Sequence, residues 1–211
     1  MDKKKLKIGI IIDNKTVNYE ERELINFIIK NDILFLKPII LSQTVKNQIN
    51  KNPISSKLTK LILKIFKGEF SDILHSIFLR IINKIEINKL NNNYNFKNYK
   101  KEFQIDDFSL EHIKILPTIS RSGLVFTYSD EIIGEIKNYK FDILIRCGSG
   151  ILKGKILHSS KYGIISFHHG DNRYFRGSPP GFWETYYNVS TTGFIIQKLN
   201  ELLDGGNIIF N

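Results

Sequence analysis

The chain has 211 residues, of which 42% are hydrophobic and 25% charged, and its formal net charge is +10. This length and composition predict a folded domain with its own core and exclude an intrinsically disordered protein. The single cysteine excludes a disulfide framework and a Cys-rich metal site, and no apolar run reaches the roughly 18–20 residues that cross a bilayer. We therefore expect a cytoplasmic protein.

The first forty residues have the pattern of a strand, a helix and a second strand. Leu6 to Ile12 is a β-branched run, and Ile33 to Leu41 is a second apolar run. Between them, Tyr19 to Lys30 places its apolar residues on one side of a helix, with three glutamates near the positive N-terminal end. Such a βαβ unit predicts a parallel sheet covered by helices.

The region 44–104 interrupts this pattern and carries most of the charge. Between Lys46 and Lys101 there are 12 basic and 3 acidic residues, which accounts for +9 of the net charge. Helical periodicity extends over 55–90, with an interruption near Gly68. We predict one domain spanning 1–211 with a basic helical insertion at 44–104. A solvated Lys-rich face explains the charge equally well.

Strands and helices alternate again after the insertion. We predict strands over 113–116, 141–145, 164–167, 192–199 and 207–210, a helix from the N-cap Ser129 to about Tyr139, and a short helix over 182–187. The predicted fold class is therefore α/β, a Rossmann-like and mostly parallel sheet with helices on both faces.

Polar residues follow two of these strands. His168 and His169 come directly after strand 164–167, and a Gly-Ser-Gly turn follows strand 141–145. Ligands of open α/β sheets bind beyond the carboxyl ends of strands. A lone histidine is usually structural, but a dense polar cluster at this edge favours a site in which histidine gives and takes a proton.

Asp204 lies in a Leu-Leu-Asp-Gly-Gly turn downstream of His168. It is typical of a hairpin turn, and it is also a carboxylate that could orient a histidine. One predicted helix and one predicted strand separate the two residues, which is enough chain to return to the same edge of the sheet. We predict that both lie at one cleft. No paired carboxylate or second His/Cys pair stands at ligand spacing, so we predict no metal.

The segment 163–183, together with Thr192–Gly193 and the 203–206 turn, resembles the formyltransferase family. That family includes methionyl-tRNA, glycinamide ribonucleotide and sugar N-formyltransferases. Its signature is Asn-x-His after a strand, an Arg-Gly-x-x-Pro loop, a Thr-Gly strand start and a Leu-Asp-x-Gly turn. The matching residues are His168, Arg176-Gly177 with Pro180, Thr192-Gly193 and Asp204. The likeness covers about 140–211 well and the opening βαβ unit loosely.

The resemblance implies a one-carbon transferase of the hydroxymethyl- and formyltransferase type. It would move a formyl group from 10-formyltetrahydrofolate to the amino group of a small or phosphorylated acceptor, such as an amino sugar nucleotide. His168 would be the general acid/base and Asp204 would orient it. Ser166 stands at the family's asparagine position, so Ser166, Asn172, His169 or backbone N–H groups would face the oxyanion.

The same resemblance implies two binding sets. The folate pocket would be lined by the turn after strand 141–145, namely Cys147, Gly148, Ser149, Gly150 and Ile151. The acceptor would be bound by His169, Asp171, Arg173 and Arg176. The basic insertion suits a phosphorylated acceptor, or a glycolipid at a membrane surface. We expect neither DNA nor tRNA as a partner, because aromatic and basic residues interleave only over 94–101.

A second hypothesis is a non-catalytic descendant that keeps the pocket as a ligand- or partner-binding module. The serine at 166 favours it, and so does the end of the chain at Asn211, where family members continue into a further helix. From that end we expect an uncovered sheet face and a shortened or homo-oligomeric form.

Overall fold

The computed structural model describes residues 5–42, 70–93, 101–171, 173–175, 181–203 and 205–211. The chain divides into two compact units, Met1–Thr44 with Phe103–Asn211, and Val45–Glu102. Much of the predicted insertion, including 55–69, lies outside the described residues. The assignment of 44–104 as an insertion into one domain stays a prediction.

The first unit contains most of the described elements. Its α-helices are α1 (Tyr19–Lys30), α3 (Asp130–Asn138) and α4 (Phe182–Tyr186). The helix α2 (Phe70–Asn93) belongs to the second unit. The strands in chain order are β1 (Leu6–Ile12), β2 (Thr16–Val17), β3 (Leu34–Ser42), β4 (Phe103–Gln104), β5 (His112–Ile115), β6 (Thr118–Ile119), β7 (Val125–Thr127), β8 (Ile143–Cys147), β9 (Ile151–Leu152), β10 (Ile164–His169), β11 (Phe194–Lys198) and β12 (Asn207–Phe210).

Seven of the described strands form one sheet in the order β12-β11-β10-β8-β1-β3-β5. The five strands from β10 to β5 run parallel, whereas β11 is antiparallel to both of its neighbours. The chain continues from β1 to β3 on one side of the sheet, and later from β8 to β10 on the other side. Strand order therefore reverses between β1 and β8, and such sheets bind ligands beside the carboxyl ends of the two strands where the order reverses. The predicted α/β, Rossmann-like class is confirmed.

An apolar cluster packs on each face of this sheet. Ile11 of β1 belongs to the cluster beneath α3, and Ile10 and Ile12 belong to the cluster beneath α1. Successive side chains of a strand point to opposite faces, so a strand covered on both sides must be apolar throughout. This explains the unbroken apolar run of β1.

The strand predicted over 141–145 lies instead at Ile143–Cys147. Phe141 is 2% exposed, and its ring stacks on that of Tyr139. Asp142 is bound to Lys7 of β1, because its Oδ2 accepts the Lys7 N–H at 2.9 Å. Phe141 and Asp142 thus pack against β1 before the backbone hydrogen bonds of β8 begin. The strand therefore starts two residues later than predicted.

The outer part of the sheet carries exposed aromatic rings on one face. Phe167, Phe194 and Phe210 are 50, 47 and 57% exposed, and the rings of Phe167 and Phe194 stack with centroids 5.4 Å apart. These rings form an exposed apolar patch on the described part of the sheet. No helix of the described residues is long and apolar enough to span a membrane.

Replacing Gly9 with alanine should destabilise the protein. A Cβ at position 9 would lie 2.6 Å from Leu144 Cδ2 and 2.8 Å from Phe141 Cε1, both in the core. Such overpacking costs about 1–3 kcal/mol, so the urea midpoint should fall. The control is Gly134→Ala in α3, where a Cβ meets nothing within 4 Å; we expect it to stabilise the helix by about 0.5–1 kcal/mol. A Gly9→Ala midpoint at or above that of the wild type would contradict this packing.

Candidate active site

A row of polar side chains crosses the sheet face that also carries Ile11. Arg146 of β8, Ser166 of β10 and Gln197 of β11 are paired in register across three neighbouring strands, so they share a face. Arg146 and Gln197 are only 4 and 5% exposed. His168 follows Ser166 by two residues and lies on the same face, nearer the carboxyl end of β10. Burying polar groups costs free energy unless they are paired or bind a ligand.

This row lines a cavity of about 170 Å³. One wall is the turn after β8, and another is the turn between β11 and β12. The wall residues are Gly148, Gly150, Ile151 and Leu152 from the first side, and Leu199, Asn200, Leu202, Leu203 and Gly206 from the second. Ligand pockets usually measure about 300–1,000 Å³, so this cavity has room for the reacting end of a ligand only.

A larger cavity of about 450 Å³ lies beside the amino end of β10. Lys161, Lys198 and Glu201 line it, and it contains none of the predicted site residues. We therefore assign the candidate active site to the smaller cavity, which holds the histidine and the polar row.

The turn that carries Asp204 and the strand that carries His168 line the same cavity. Asp204 itself lies outside the described residues, as do Asn172 and Arg176, but Leu203 and Gly206 are in the cavity wall with His168. The turn begins at the amino end of β10, because β11 is antiparallel and pairs Lys198 with Ile165. The turn therefore reaches the cavity across the face of the sheet. A contact between His168 and Asp204 stays a prediction.

Asn200 and Gly206 hold this turn in place. Asn200 Nδ2 donates to the Gly205 carbonyl at 2.8 Å, and its Oδ1 accepts the Leu202 N–H at 2.9 Å. A Cβ at position 206 would lie 2.6 Å from Gln197 Oε1. The same Cβ would lie 2.7 Å from the Lys198 carbonyl oxygen, and because backbone cannot easily move aside, this position favours glycine.

Arg146 and Asp13 form a buried ion pair at the carboxyl ends of β8 and β1. Arg146 Nη1 lies 2.7 Å from Asp13 Oδ1, and the two side chains are 2 and 15% exposed. Asp13 Oδ2 accepts the Ser149 N–H at 2.9 Å, which fastens the turn after β8 to the end of β1. A Cβ at position 148 would lie 2.6 Å from Arg146 Cζ. A larger residue at position 148 would therefore displace the charged end of Arg146 or of Asp13.

The residues predicted for the folate pocket divide between the two faces of the sheet. Gly148, Gly150 and Ile151 are in the cavity wall, and a Cβ at Gly150 would overlap the ring of Phe126. Ser149 donates its N–H to Asp13. Cys147 packs against the apolar cluster beneath α1, on the face away from the cavity. Packing against Arg146 and Phe126 thus explains why glycines stand in this turn, whether or not a ligand binds there.

The described residues predicted to bind the acceptor lie outside the cavity wall. His169 is on the other face of β10, where its ring meets Phe167 edge-on at 4.7 Å. Arg173 pairs with Asp171, because its Nε and its backbone N–H donate to Asp171 Oδ1 at 2.8 and 3.0 Å. This hydrogen bonding holds the pKa of Asp171 below its usual range and raises the pKa of Arg173.

Arg146, Asp13 and Gln197 are not among the residues predicted from the sequence. Each is polar at a position within or directly after an otherwise apolar strand, as in Ile-Leu-Ile-Arg-Cys and Phe-Ile-Ile-Gln-Lys. A strand buried on both faces rarely carries such a residue without a partner. That pattern is the signal that could have identified them.

The fold is shared with solved formyltransferase structures. No protein-family model matches the sequence, and no curated protein matches it either. Glycinamide ribonucleotide transformylase 1 from Symbiobacterium toebii is similar, with a TM-score of 0.54 and 11% identity over 98% of this chain and 71% of that chain. Phosphoribosylglycinamide formyltransferase from Anaplasma phagocytophilum is similar with a TM-score of 0.51 and 13% identity, over 98% of this chain and 70% of that chain.

The protein therefore has the fold of the formyltransferases. The family resemblance found in 140–211 is confirmed at the level of the fold, which covers nearly the whole chain. Because one fold hosts many reactions, the chemistry has to be argued from the site.

Cys147 should react slowly with alkylating agents in the native protein. Burial, with a contribution from Glu21, raises the pKa of this thiol from 9.0 to about 12. Only the thiolate is nucleophilic, so the native reaction at pH 8 should be about a thousandfold slower than that of a free cysteine. Iodoacetamide labelling followed by mass spectrometry would measure this, with the urea-unfolded protein as control. Labelling of the native protein at the unfolded rate would contradict the packing of Cys147.

The same pKa shift predicts a loss of stability at high pH. The unfolded thiol loses its proton near pH 9.0 and the folded one only near pH 12. The unfolded state therefore binds fewer protons in this window, and the free energy of unfolding falls as the pH rises through it. A Cys147→Ala variant should lack this part of the pH dependence.

Proposed function

We propose that the protein transfers a formyl group from 10-formyltetrahydrofolate to an amino group of a small or phosphorylated acceptor, such as an amino sugar nucleotide. One observation supports this most. His168, Ser166 and the turn that carries Asp204 surround one cavity in a chain with the formyltransferase fold. A proton-transferring group, a hydroxyl donor and a turn with a carboxylate are what amine formylation needs.

The cavity lining suits the reactive end of a folate. The lining contains both apolar side chains and the polar row, and a heteroaromatic ring with oxygen and nitrogen atoms at its edge needs both. Ile151, Leu152 and Leu202 would hold the ring, and the polar row would meet its oxygen and nitrogen atoms. The folate would supply an activated formyl group, and the residues of this chain would bind the substrates and move the proton.

His168 would move the proton in this reaction. As a general base it takes the proton that the acceptor amine loses, and as a general acid it returns that proton to the departing folate nitrogen. Such catalysis contributes roughly 10²–10⁴-fold. Asp204 would fix the ring orientation and stabilise the imidazolium form. Ser166 and Asn172 would face the oxygen on which negative charge develops, although a serine hydroxyl has a single donor.

The start of α1 limits where an acceptor phosphate could bind. Helix N-termini commonly bind phosphate, but here Asn18 and Glu21 cap each other through two hydrogen bonds of 2.8 Å. Glu20 adds negative charge in the same turn, and burial raises the pKa of Glu21 with Asp13 contributing. A phosphate would therefore bind elsewhere. Arg173 is a candidate for this role because its side chain is half exposed, although a phosphate would compete with its hydrogen bonds to Asp171.

Titration with a reduced folate and a formyl-transfer assay test this proposal. We expect saturable folate binding by the wild type. His168→Ala should bind the folate normally but transfer formyl at least about 10²-fold more slowly, and Asp204→Asn should also slow transfer. The matched control is His158→Ala, since His158 is an exposed histidine beside the larger cavity.

Each result separates two hypotheses. Folate binding without transfer by the wild type would favour the non-catalytic binding module, and no folate binding would remove the donor. Transfer at the wild-type rate by His168→Ala would contradict the mechanism.

We also propose that α2 contacts an anionic membrane surface, which suits a glycolipid acceptor. Exposed apolar residues lie around this helix, with Ile77, Ile81 and Ile85 at 47, 53 and 61% and Phe78 and Leu79 at 61 and 58%. The basic residues Arg80 and Lys84 lie among them. Apolar burial and attraction of basic side chains to anionic lipids both bind helices to membrane surfaces.

Sedimentation with phosphatidylglycerol-containing vesicles tests this contact. We expect the wild type to co-sediment, and less so at high salt because salt screens the lysine and arginine charges. Ile81→Glu with Ile85→Glu should abolish binding. Leu124→Glu is the control, because Leu124 is equally apolar and 58% exposed in the other unit. Binding of the double variant at the wild-type level would refute the role of α2.

A further inference from the structure

Arg146 is buried beside the cavity, and two of its three guanidinium nitrogens make no directed hydrogen bond within the described part of the chain. Its Nε and Nη1 have no hydrogen-bonded partner within the described part of the chain, and its Nη2 reaches only the Gly150 carbonyl at 3.5 Å. Asp13 neutralises the charge at 2.7 Å, but its Oδ1 takes no directed hydrogen bond. Buried donors without acceptors are rare and costly, and they need an explanation.

The cavity is one place from which the guanidinium could gain an acceptor. Asp13 lies on one side, Gly148 packs against Cζ, and the Phe126 ring centroid lies 6.0 Å away. The Gly150 carbonyl accepts from Nη2 only at 3.5 Å, which is a long hydrogen bond. Arg146 is itself part of the cavity wall, together with Ser166 and His168. An oxygen atom of a ligand in this cavity would supply the missing acceptor.

We propose that Arg146 binds a carbonyl or carboxylate oxygen of the ligand in this cavity. In the formyl transfer proposed above, on which this assignment rests, that oxygen belongs to the formyl group. When the acceptor nitrogen bonds to the formyl carbon, the π electron pair of the C=O bond moves to the oxygen. Arg146 donates hydrogen bonds to this oxyanion and keeps its own protons. When the bond to the folate nitrogen breaks, the electron pair returns and the carbonyl reforms.

This role would compensate for Ser166, which has one O–H where the family has an asparagine amide. The Ser166 O–H already has two backbone acceptors, the Arg146 and Phe167 carbonyls at 3.4 and 3.2 Å from Oγ. A guanidinium presents several donors in a fixed fork and remains charged at any working pH. Asp13 would act as a positioning residue, because it holds the guanidinium and the turn above it.

Formate and four variants test the proposal. Sodium formate is the smallest carboxylate, and its binding is followed by thermal shift against sodium chloride of equal ionic strength. The variants are Arg146→Met, Arg146→Lys, the charge-balanced Asp13→Asn/Arg146→Met, and the exposed control Arg121→Met. The double variant keeps the test valid if Arg146→Met alone does not fold, because it leaves no unpaired buried carboxylate.

We expect the wild type and Arg121→Met to bind formate saturably, and a reduced folate to compete with it. Both variants with methionine at position 146 should bind formate at least tenfold more weakly and lower kcat by about 10²–10³-fold, as the loss of an oxyanion donor does. Arg146→Lys should recover only part of this, because an ammonium lacks the fork.

The outcomes separate this assignment from the proposed function. If the methionine variants bind formate and transfer formyl as well as the wild type does, the assignment is overturned. The ion pair would then have only a structural role. Absence of formate binding by the wild type would also overturn it. Formate binding that depends on Arg146 in a protein that neither binds folate nor transfers formyl would keep the assignment and refute the proposed reaction.

Discussion

The ion pair between Arg146 and Asp13 constrains the candidate site more than any other interaction. A charged pair in an apolar sheet gains little net stability, because desolvation offsets much of the Coulomb attraction. It nevertheless dictates its surroundings. It disfavours a larger residue at position 148, it fastens the turn after β8 to the end of β1 through Ser149, and it brings a guanidinium into the wall of the cavity that His168 also lines. The shape of the cavity mouth therefore follows from a pair that contributes little to folding.

Most of the fold could be predicted from the sequence, because local patterns determine its elements directly. The β1 run is apolar throughout since it is covered on both faces, and the capping residues Asn18 and Ser129 stand at the starts of α1 and α3. Strand ends were harder to predict. The strand predicted to end at 167 continues to His169, because Phe194 of β11 pairs with it. A partner strand from a distant part of the chain sets that boundary, and the local sequence does not contain it.

The same boundary explains what could and could not be predicted of the site. With the strand ending at 167, both histidines would follow it and share one polar cluster. With the strand ending at 169, alternation sends His168 to the cavity and His169 to the opposite face beside Phe167. Arg146 and Gln197 were not predicted for a related reason. Only the register of β8, β10 and β11 places them beside Ser166 on one face of the sheet. The family resemblance placed the histidine, but tertiary pairing determines which polar residues surround it.

Charge balance also bears on the ligand that the site would select. Arg146 is neutralised by Asp13, and the N-terminus of α1 is occupied by its own capping box and by further acidic residues. Neither feature offers net positive charge to a phosphate. A neutral carbonyl differs in this respect, because it needs directed donors rather than net charge, and it gains most from a donor when it becomes an oxyanion. In the proposed reaction the reacting carbonyl would therefore bind inside the cavity, and a phosphate of the acceptor would bind outside it, where it would compete with Asp171 for Arg173.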